Sequence, residues 1–194
     1  GQFDVETGLD RILEGLRRLG FDEVYEVARG ADFSSFAIRR YIDETQELFF
    51  PLISTACPVI VRLIQIRFPN LIKHLIPIKS PMDIAAEQAK AKAQRELVLD
   101  PADVGVFFIT PCPAKATFIK EPIGLDKCMV DGAVSIVDIY GALRKEIQTV
   151  TDVPLHQRAS GYGIGWARAG GENLSLGELN HLAVDGIHNV ISVL

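Results

Sequence analysis

The chain has 194 residues, with 20 lysines and arginines against 25 aspartates and glutamates, a net charge of −5 with histidine neutral. This acidic balance argues against a nucleic-acid-binding protein, because phosphate recognition needs an excess of clustered cations. Hydrophobic residues form 48% of the chain, which excludes a disordered protein. The sequence contains no run of about 18 apolar residues, so it predicts no membrane span. The three cysteines are too few for a disulfide framework, so we expect a cytoplasmic protein.

The predicted secondary structure alternates between helices and short strands. Apolar residues at helical spacing predict helices, shorter apolar runs predict strands, and glycine or proline marks their ends. The first half is predicted to hold a helix over 9–19, a strand over 21–27, a helix over 34–47 capped by a loop at 30–32, a strand over 52–54, a helix over 59–68 and an alanine-rich helix over 81–99. The second half is predicted to hold a buried strand over 104–110, a helix over 133–147, a glycine-rich segment over 160–171, a strand over 182–184 and a helix over 187–194. This alternation predicts an α/β fold with largely parallel sheets flanked by helices.

Two of the cysteines share a sequence context. Cys57 and Cys112 each follow a predicted strand and lie next to proline, in Thr55-Ala56-Cys57-Pro58 and Thr110-Pro111-Cys112-Pro113. Ligands collect at the carboxyl ends of parallel strands, and thiolates there suit soft metals and iron–sulfur clusters. The alternative is a pair of buried cysteines that pack as small apolar residues. Cys128 lacks this context and is interpreted as structural.

Around these cysteines the sequence resembles the large-subunit catalytic domain of the iron-only ([FeFe]) hydrogenases. Ser54-Thr55-Ala56-Cys57-Pro58 is similar to the family's TSCCP motif, and Pro111-Cys112-Pro113-Ala114-Lys115 is similar to its PCxxK motif. Shorter similarities occur in the same order as in the family. They are Gly20-Phe21-Asp22-Glu23-Val24, Gly30-Ala31-Asp32, Phe68-Pro69, Lys79-Ser80-Pro81 and Val130-Asp131-Gly132.

The resemblance implies two α/β lobes, over about 1–98 and 99–194, and an H-cluster between them. In the family four cysteines hold a [4Fe–4S] cube, and one of them bridges to a two-iron subsite that carries CO and cyanide. Carried over by position, the resemblance implies that Cys57 and Cys112 would be two of the cube ligands and that Lys115 would donate a hydrogen bond to a cyanide. Because the chain opens on Gly1 rather than Met, we expect a piece of a longer multidomain protein. The two further cysteine ligands are expected beyond Leu194, so the cluster would be incomplete in this piece.

Residues of the family's proton relay are replaced in this chain. Ala56 stands at the position of the relay cysteine, and a methyl group cannot carry a proton. At an ungapped alignment, the two relay glutamates fall on Ile38 and Tyr41, and a glutamate that follows the PCxxK motif falls on Phe118. The family's methionine before that motif falls on Thr110. Fast turnover needs a positioned acid–base chain, so we expect low activity and no confident catalytic residue.

The resulting hypothesis is an iron–sulfur domain of the H-cluster type that senses hydrogen or redox state with little or no turnover. It would work with ferredoxin-like or signalling domains in the same or a partner chain. Two alternatives remain open: an active hydrogenase with a different proton route, and a metal-free interaction module with the same fold. The segments around Cys57 and Cys112 are expected to be poorly ordered or open to solvent.

Overall fold

Helices surround a small parallel sheet in the computed structural model, which describes residues 3–4, 6–124, 127–156, 158–177 and 180–194. The helices are α1 (Leu9–Arg18), α2 (Val27–Glu44), α3 (Pro58–Arg67), α4 (Pro81–Leu97), α5 (Pro113–Lys120), α6 (Ile136–Thr149), α7 (Gly161–Gly165), α8 (Gly171–Ser175) and α9 (Ile187–Val193). The strands are β1 (Phe107–Thr110) and β2 (Gly132–Ser135), and two 3₁₀ turns cover Pro69–His74 and Pro101–Asp103. No helix in these ranges has the length and apolar character needed to cross a membrane.

The sheet consists of β1 and β2, which pair in parallel with Phe107 opposite Gly132 and Thr110 opposite Ser135. Parallel neighbours need a crossover connection, and α5 lies in it. An isolated parallel bridge joins Ile53 to Leu75. The predicted α/β class is therefore confirmed, with a smaller sheet than the alternation indicated.

Several predicted element boundaries were wrong. Residues 21–26 and 182–184 form no strand, and α2 begins at Val27, so that Gly30-Ala31-Asp32 lies inside this helix instead of capping it. Residues 132–135 form β2, so the helix predicted from residue 133 begins at Ile136. Strands require a hydrogen-bonded neighbour, which local alternation of apolar residues does not reveal.

Helix α1 packs on α6 and ends as predicted. Leu16 of α1 forms a buried cluster with Leu143 and Ile147 of α6. Gly20 follows the helix with φ 107°, a left-handed conformation that a residue without Cβ adopts readily. This pair of helices forms one layer of the core.

The start of α4 also agrees with the prediction from Ser80-Pro81. The Ser80 hydroxyl accepts a hydrogen bond from the Asp83 N–H at 3.4 Å and donates to Asp83 Oδ2 at 2.6 Å. Pro81 occupies the first turn, where its missing N–H needs no partner. One turn of the helix then contributes Met82 and Ala86 to a core that also buries Cys128. Cys128 is 4% exposed, in agreement with its interpretation as a structural residue.

An ion pair links α4 to the segment before β2. Lys90 Nζ lies 2.8 Å from Asp131 Oδ2, and the same carboxylate accepts the Val106 N–H at 2.8 Å. Burial opposes ionisation of Asp131, but the hydrogen bonds from Lys90 and Val106 outweigh it and hold its pKa below the ordinary value. Lowering the pKa in the folded state makes the ionised form stabilising.

We therefore expect Asp131→Asn to reduce the free energy of unfolding at neutral pH and to have less effect in acid. The stabilisation by Asp131 is present above the ordinary aspartate pKa of about 3.9 and is lost as the pH falls through the lower folded-state pKa. Urea unfolding of both proteins at pH 7 and at about pH 3 measures this. An equal difference between the two proteins at both pH values would contradict the assignment.

Candidate cluster-binding site

Cys57 and Cys112 occupy equivalent places in the structure. Each is the N-cap residue of a helix, α3 for Cys57 and α5 for Cys112. Their backbones are nearly identical, with φ −101° and ψ 110° at Cys57 and φ −98° and ψ 110° at Cys112. Proline follows each cysteine at the first helical position, where its fixed φ favours the turn into the helix. The two cysteines therefore enter their helices through the same local geometry.

The loop that carries Cys57 is held by bonds from Thr55 to another segment and by a bond within the loop. The Thr55 hydroxyl donates toward the carbonyl oxygens of Ile76 and Ile78, each at 2.9 Å. The Ser54 hydroxyl accepts the N–H of Ala56 at 3.3 Å. These contacts fix the residues immediately before Cys57 against the segment that leads into α4.

The loop that carries Cys112 is joined to the Cys57 loop through Lys115. The Thr110 hydroxyl accepts the Cys112 N–H at 3.1 Å, which shapes the turn out of β1. Lys115 Nζ donates to the carbonyl oxygen of Ala56 at 3.0 Å. Helices α3 and α5 also contact each other. The structure thus brings together the two cysteine segments that the sequence singled out, residues 54–58 and 111–115.

The cysteines differ in their exposure to solvent. Cys57 is exposed, Cys112 is half-buried and Cys128 is buried, and all three are free thiols. Both candidate ligands are therefore accessible to solvent, as expected, with Cys57 the more exposed of the two.

A cleft of about 400 Å³ lies beside these loops. Ala56 and Pro58 line it from the Cys57 side, Lys115 and Phe118 line it from α5, and Asp83 lines it from α4. This volume is in the range of small-ligand sites in proteins. The Ala56 methyl and the Phe118 ring give the cleft apolar walls at two positions of the family's relay.

The two remaining relay positions lie in a hydrophobic core. Ile38 is 3% exposed and packs with Ile76 and Leu176, and Tyr41 packs against the same cluster. The side chains at these two positions therefore pack α2 against the core and do not supply the acidic groups of a proton relay.

Two acidic residues near the site were not singled out in the sequence. Asp83 is 3% exposed and accepts a hydrogen bond from the Cys128 thiol at 3.6 Å, besides its bond from Ser80. Glu172 lies near Ser54, and burial raises its pKa against the opposing effect of the Ser54 hydroxyl. The helix-capping pattern that begins at Ser80 could have indicated Asp83, whereas nothing in the local sequence indicates Glu172.

Comparison with known proteins identifies the family. A profile described as "Iron only hydrogenase large subunit, C-terminal domain" matches residues 2–176. The chain belongs to this family. The chain is 30% identical over 131 residues to iron hydrogenase 1 of Clostridium pasteurianum. The match covers 62% of this chain and 22% of that protein. It is 27% identical over 117 residues to the periplasmic [Fe] hydrogenase large subunit of Nitratidesulfovibrio vulgaris, covering 57% and 27% respectively.

Solved [FeFe]-hydrogenases share the fold. The apo form of a variant from Chlamydomonas reinhardtii superposes with a TM-score of 0.64 at 20% identity, over 92% of this chain and 50% of that one. A structure described as revealing stepwise H-cluster assembly superposes with a TM-score of 0.61 at 22% identity. The match covers 80% of this chain and 42% of that one. The matched region corresponds to about a quarter of the curated relatives and at most half of these two solved chains.

The site of this hydrogenase-family chain contains two thiols of the type that bind iron–sulfur clusters. A [4Fe–4S] cube takes four thiolates, and Cys57 and Cys112 are two thiols with matching backbone geometry on loops joined through Lys115. Across the described ranges, no group of three or more His, Cys, Asp or Glu side chains could hold a metal ion. The thiol chemistry of Cys57 and Cys112 suits such a cluster, and the described residues do not supply a complete ligand set.

The differing exposure of the thiols predicts an order of alkylation. We expect Cys57 to react first with iodoacetamide, Cys112 more slowly, and Cys128 only on unfolding. Burial of Cys128 also raises its pKa, which lowers the thiolate fraction that reacts. Timed alkylation followed by peptide mass spectrometry measures this order. Labelling of Cys128 at the rate of Cys57 in the folded chain would contradict it.

Proposed function

We propose that this chain is the part of an [FeFe]-hydrogenase-like domain that supplies two cysteine ligands, Cys57 and Cys112, to a [4Fe–4S] cluster. The observation that carries the proposal is their matched N-cap geometry on two contacting helices, with Lys115 joined to the Cys57 loop. The other two thiolates would come from residues beyond Leu194. When bound, such a cluster supplies electron transfer.

A two-iron subsite would occupy the cleft beside Ala56 and Lys115. Its cyanide groups are anionic acceptors, and the Lys115 ammonium is a suitable donor because charge-assisted hydrogen bonds are strong. Lys115 is half-buried and donates to a carbonyl oxygen at the edge of this cleft, so its Nζ already reaches the required region.

We further propose that the domain senses hydrogen or redox state with little turnover. The apolar side chains of Ala56 and Phe118 in the cleft, and the core packing of Ile38 and Tyr41, support this role. Signals or electrons would pass to ferredoxin-like or signalling domains in the same or a partner chain. The division into lobes over about 1–98 and 99–194 stays a prediction.

The test uses the full-length protein that contains this chain, matured anaerobically with the [FeFe]-hydrogenase maturation proteins. Infrared bands of CO and cyanide would establish the two-iron subsite. Hydrogen turnover is expected to be at least about 100-fold below that of a relay-containing family member, the usual contribution of one positioned acid–base group. Comparable turnover would favour an active hydrogenase with another proton route. If the Cys57→Ser, Cys112→Ser double variant gave the same infrared spectrum and the same turnover as the wild-type protein, the metal-free interaction module would be favoured.

A further inference from the structure

A second cavity lies between α2 and the two short helices α7 and α8. Its volume of about 300 Å³ is at the small end of the usual range for ligand sites. Asp32, Ser35 and Arg39 line it from α2, and Ser160 and Ser175 line it from the opposite side. It shares no lining residue with the cleft beside the candidate cluster ligands. We call it the α2 pocket, and it is a candidate site of its own with room for a small molecule.

Two opposite charges line the α2 pocket without an ion-pair partner. Asp32 and Arg39 are seven residues apart on α2, which places them on one face of this helix, and both are half-buried. Among the described residues neither forms an ion pair, with the other or with a third residue. The Arg39 guanidinium donates to the carbonyl oxygen of Leu176, a neutral acceptor. The pocket therefore suits a ligand that carries both a positive and a negative charge.

The serine hydroxyls of α2 and α8 have already used their protons. Trp166 Nε1 donates to the Ser35 hydroxyl at 3.0 Å, and the Ser175 hydroxyl donates to the carbonyl oxygen of Glu172 at 2.6 Å. The Ser35 and Ser175 oxygens lie 2.6 Å apart, so the Ser35 proton lies between them. Each oxygen keeps one lone pair, because a hydroxyl donates once and accepts twice. This part of the pocket therefore suits N–H donors of a ligand.

The Asp32 carboxylate is held in a fixed orientation by Ser160. Asp32 Oδ2 accepts the Ser160 backbone N–H at 2.9 Å, and Oδ1 accepts the Ser160 hydroxyl. These neutral donors orient the carboxylate and leave its negative charge in place. An ammonium group is the ligand group that suits it, since charge-assisted hydrogen bonds are strong and an ammonium has further protons for nearby hydroxyl oxygens.

Two exposed aromatic rings complete the α2 pocket. Phe36 and Tyr162 line it, and each of these side chains is 68% exposed. Aromatic faces attract both other rings and cations. An aromatic ligand would cover part of the apolar surface that these two side chains expose.

We propose that the α2 pocket binds a free aromatic α-amino acid. Its carboxylate would bond to Arg39, whose planar guanidinium is matched to that group. Its ammonium would bond to Asp32 and to the hydroxyl oxygens of Ser35 and Ser175, and its ring would pack against Phe36 and Tyr162. This site does not depend on the function proposed for the cysteines.

The test measures binding of three probes to the 194-residue chain by calorimetry: L-phenylalanine, 3-phenylpropionate and 2-phenylethylamine. The second probe is L-phenylalanine without its ammonium, and the third is L-phenylalanine without its carboxylate. Each of these two is expected to bind at least roughly tenfold more weakly than L-phenylalanine, because each loses a hydrogen bond to a charged group.

Substitutions then assign the two charges. Arg39→Gln is expected to weaken L-phenylalanine binding at least roughly tenfold and to leave 2-phenylethylamine within about twofold, because that probe has no carboxylate. Asp32→Asn is expected to weaken L-phenylalanine by a similar factor and to leave 3-phenylpropionate within about twofold. Arg40→Gln and Asp43→Asn make the same charge changes at exposed positions of α2 outside the pocket, and should leave every affinity within about twofold.

Three results would overturn this proposal: no binding of L-phenylalanine at about 10 mM, equal affinities for the three probes, or equal weakening by the pocket variants and their controls. Circular dichroism of each variant reports whether the fold is intact. The comparison of probes uses the wild-type chain, so it decides the proposal even if Arg39→Gln fails to fold. Because these assays need no iron, their outcome is separate from whether Cys57 and Cys112 hold a cluster.

Discussion

Replacing Gly30 with alanine is expected to destabilise the chain severely. Gly30 lies inside α2 where this helix crosses α4, and a Cβ there would lie 2.1 Å from the Pro81 carbonyl oxygen and 3.0 Å from both the backbone nitrogen and the Cβ of Ala85. Backbone atoms in a helix cannot move aside as a flexible side chain can. Overpacking typically lowers the free energy of unfolding by about 1–3 kcal/mol, and we expect a loss at or above the upper end of this range. That is a large part of the stability of a domain.

Gly141→Ala provides the matched control. Gly141 also lies inside a helix, α6, but no atom of the described residues beyond its own stretch of helix lies within 4 Å of the position that a Cβ would take. Its replacement is expected to stabilise the chain by about 0.5–1 kcal/mol, because alanine has the higher helix propensity. Urea unfolding of both variants measures the contrast. Equal stabilities would show that the crossing of α2 and α4 is looser than described.

Replacing Ile64 with alanine is expected to have the second large effect. Ile64 is 0% exposed and is the largest fully buried side chain among the described residues. Removing its outer carbons leaves a cavity beneath α3, with an expected loss of about 2–5 kcal/mol. Because α3 begins directly after Cys57, this side chain also fixes the helix that presents the first candidate ligand.

Ile66→Ala is the control on the same helix. Ile66 is 66% exposed, so truncating it should change the free energy of unfolding by no more than about 0.5 kcal/mol. Denaturant midpoints of the two variants give the comparison. A loss from Ile66→Ala equal to that from Ile64→Ala would mean that α3 packs with its other face inward.

The elements that could be predicted from the sequence are those specified by local chemistry. Ser80-Pro81 predicts the start of α4 because a hydroxyl N-cap and a proline in the first turn are sufficient to define it. The placement of Cys57 at the start of a helix followed from its proline, whereas the helix that begins after Cys112, α5, was not predicted from the sequence. The α/β class followed from the alternation of elements.

The features that could not be predicted depend on distant contacts. Gly30 indicated a loop, but it lies inside α2, where the close approach of the Pro81 backbone leaves no room for a Cβ. Strand β2 is defined by its pairing with β1, which residues 132–135 alone do not reveal. The hydrogen bond from Lys115 to Ala56 joins residues 59 positions apart, and the location of Glu172 near Ser54 depends on the packing of α8.

The most direct test of the central claim is the iron and acid-labile sulfide content of the anaerobically reconstituted full-length protein and its single-cysteine variants. The account predicts about four irons and four sulfides per chain in the wild type and in Cys128→Ser, and a marked loss in both Cys57→Ser and Cys112→Ser. Full iron content in Cys57→Ser and Cys112→Ser, or absence of cluster from the wild type, would contradict the account and leave a hydrogenase fold without the cluster proposed for it.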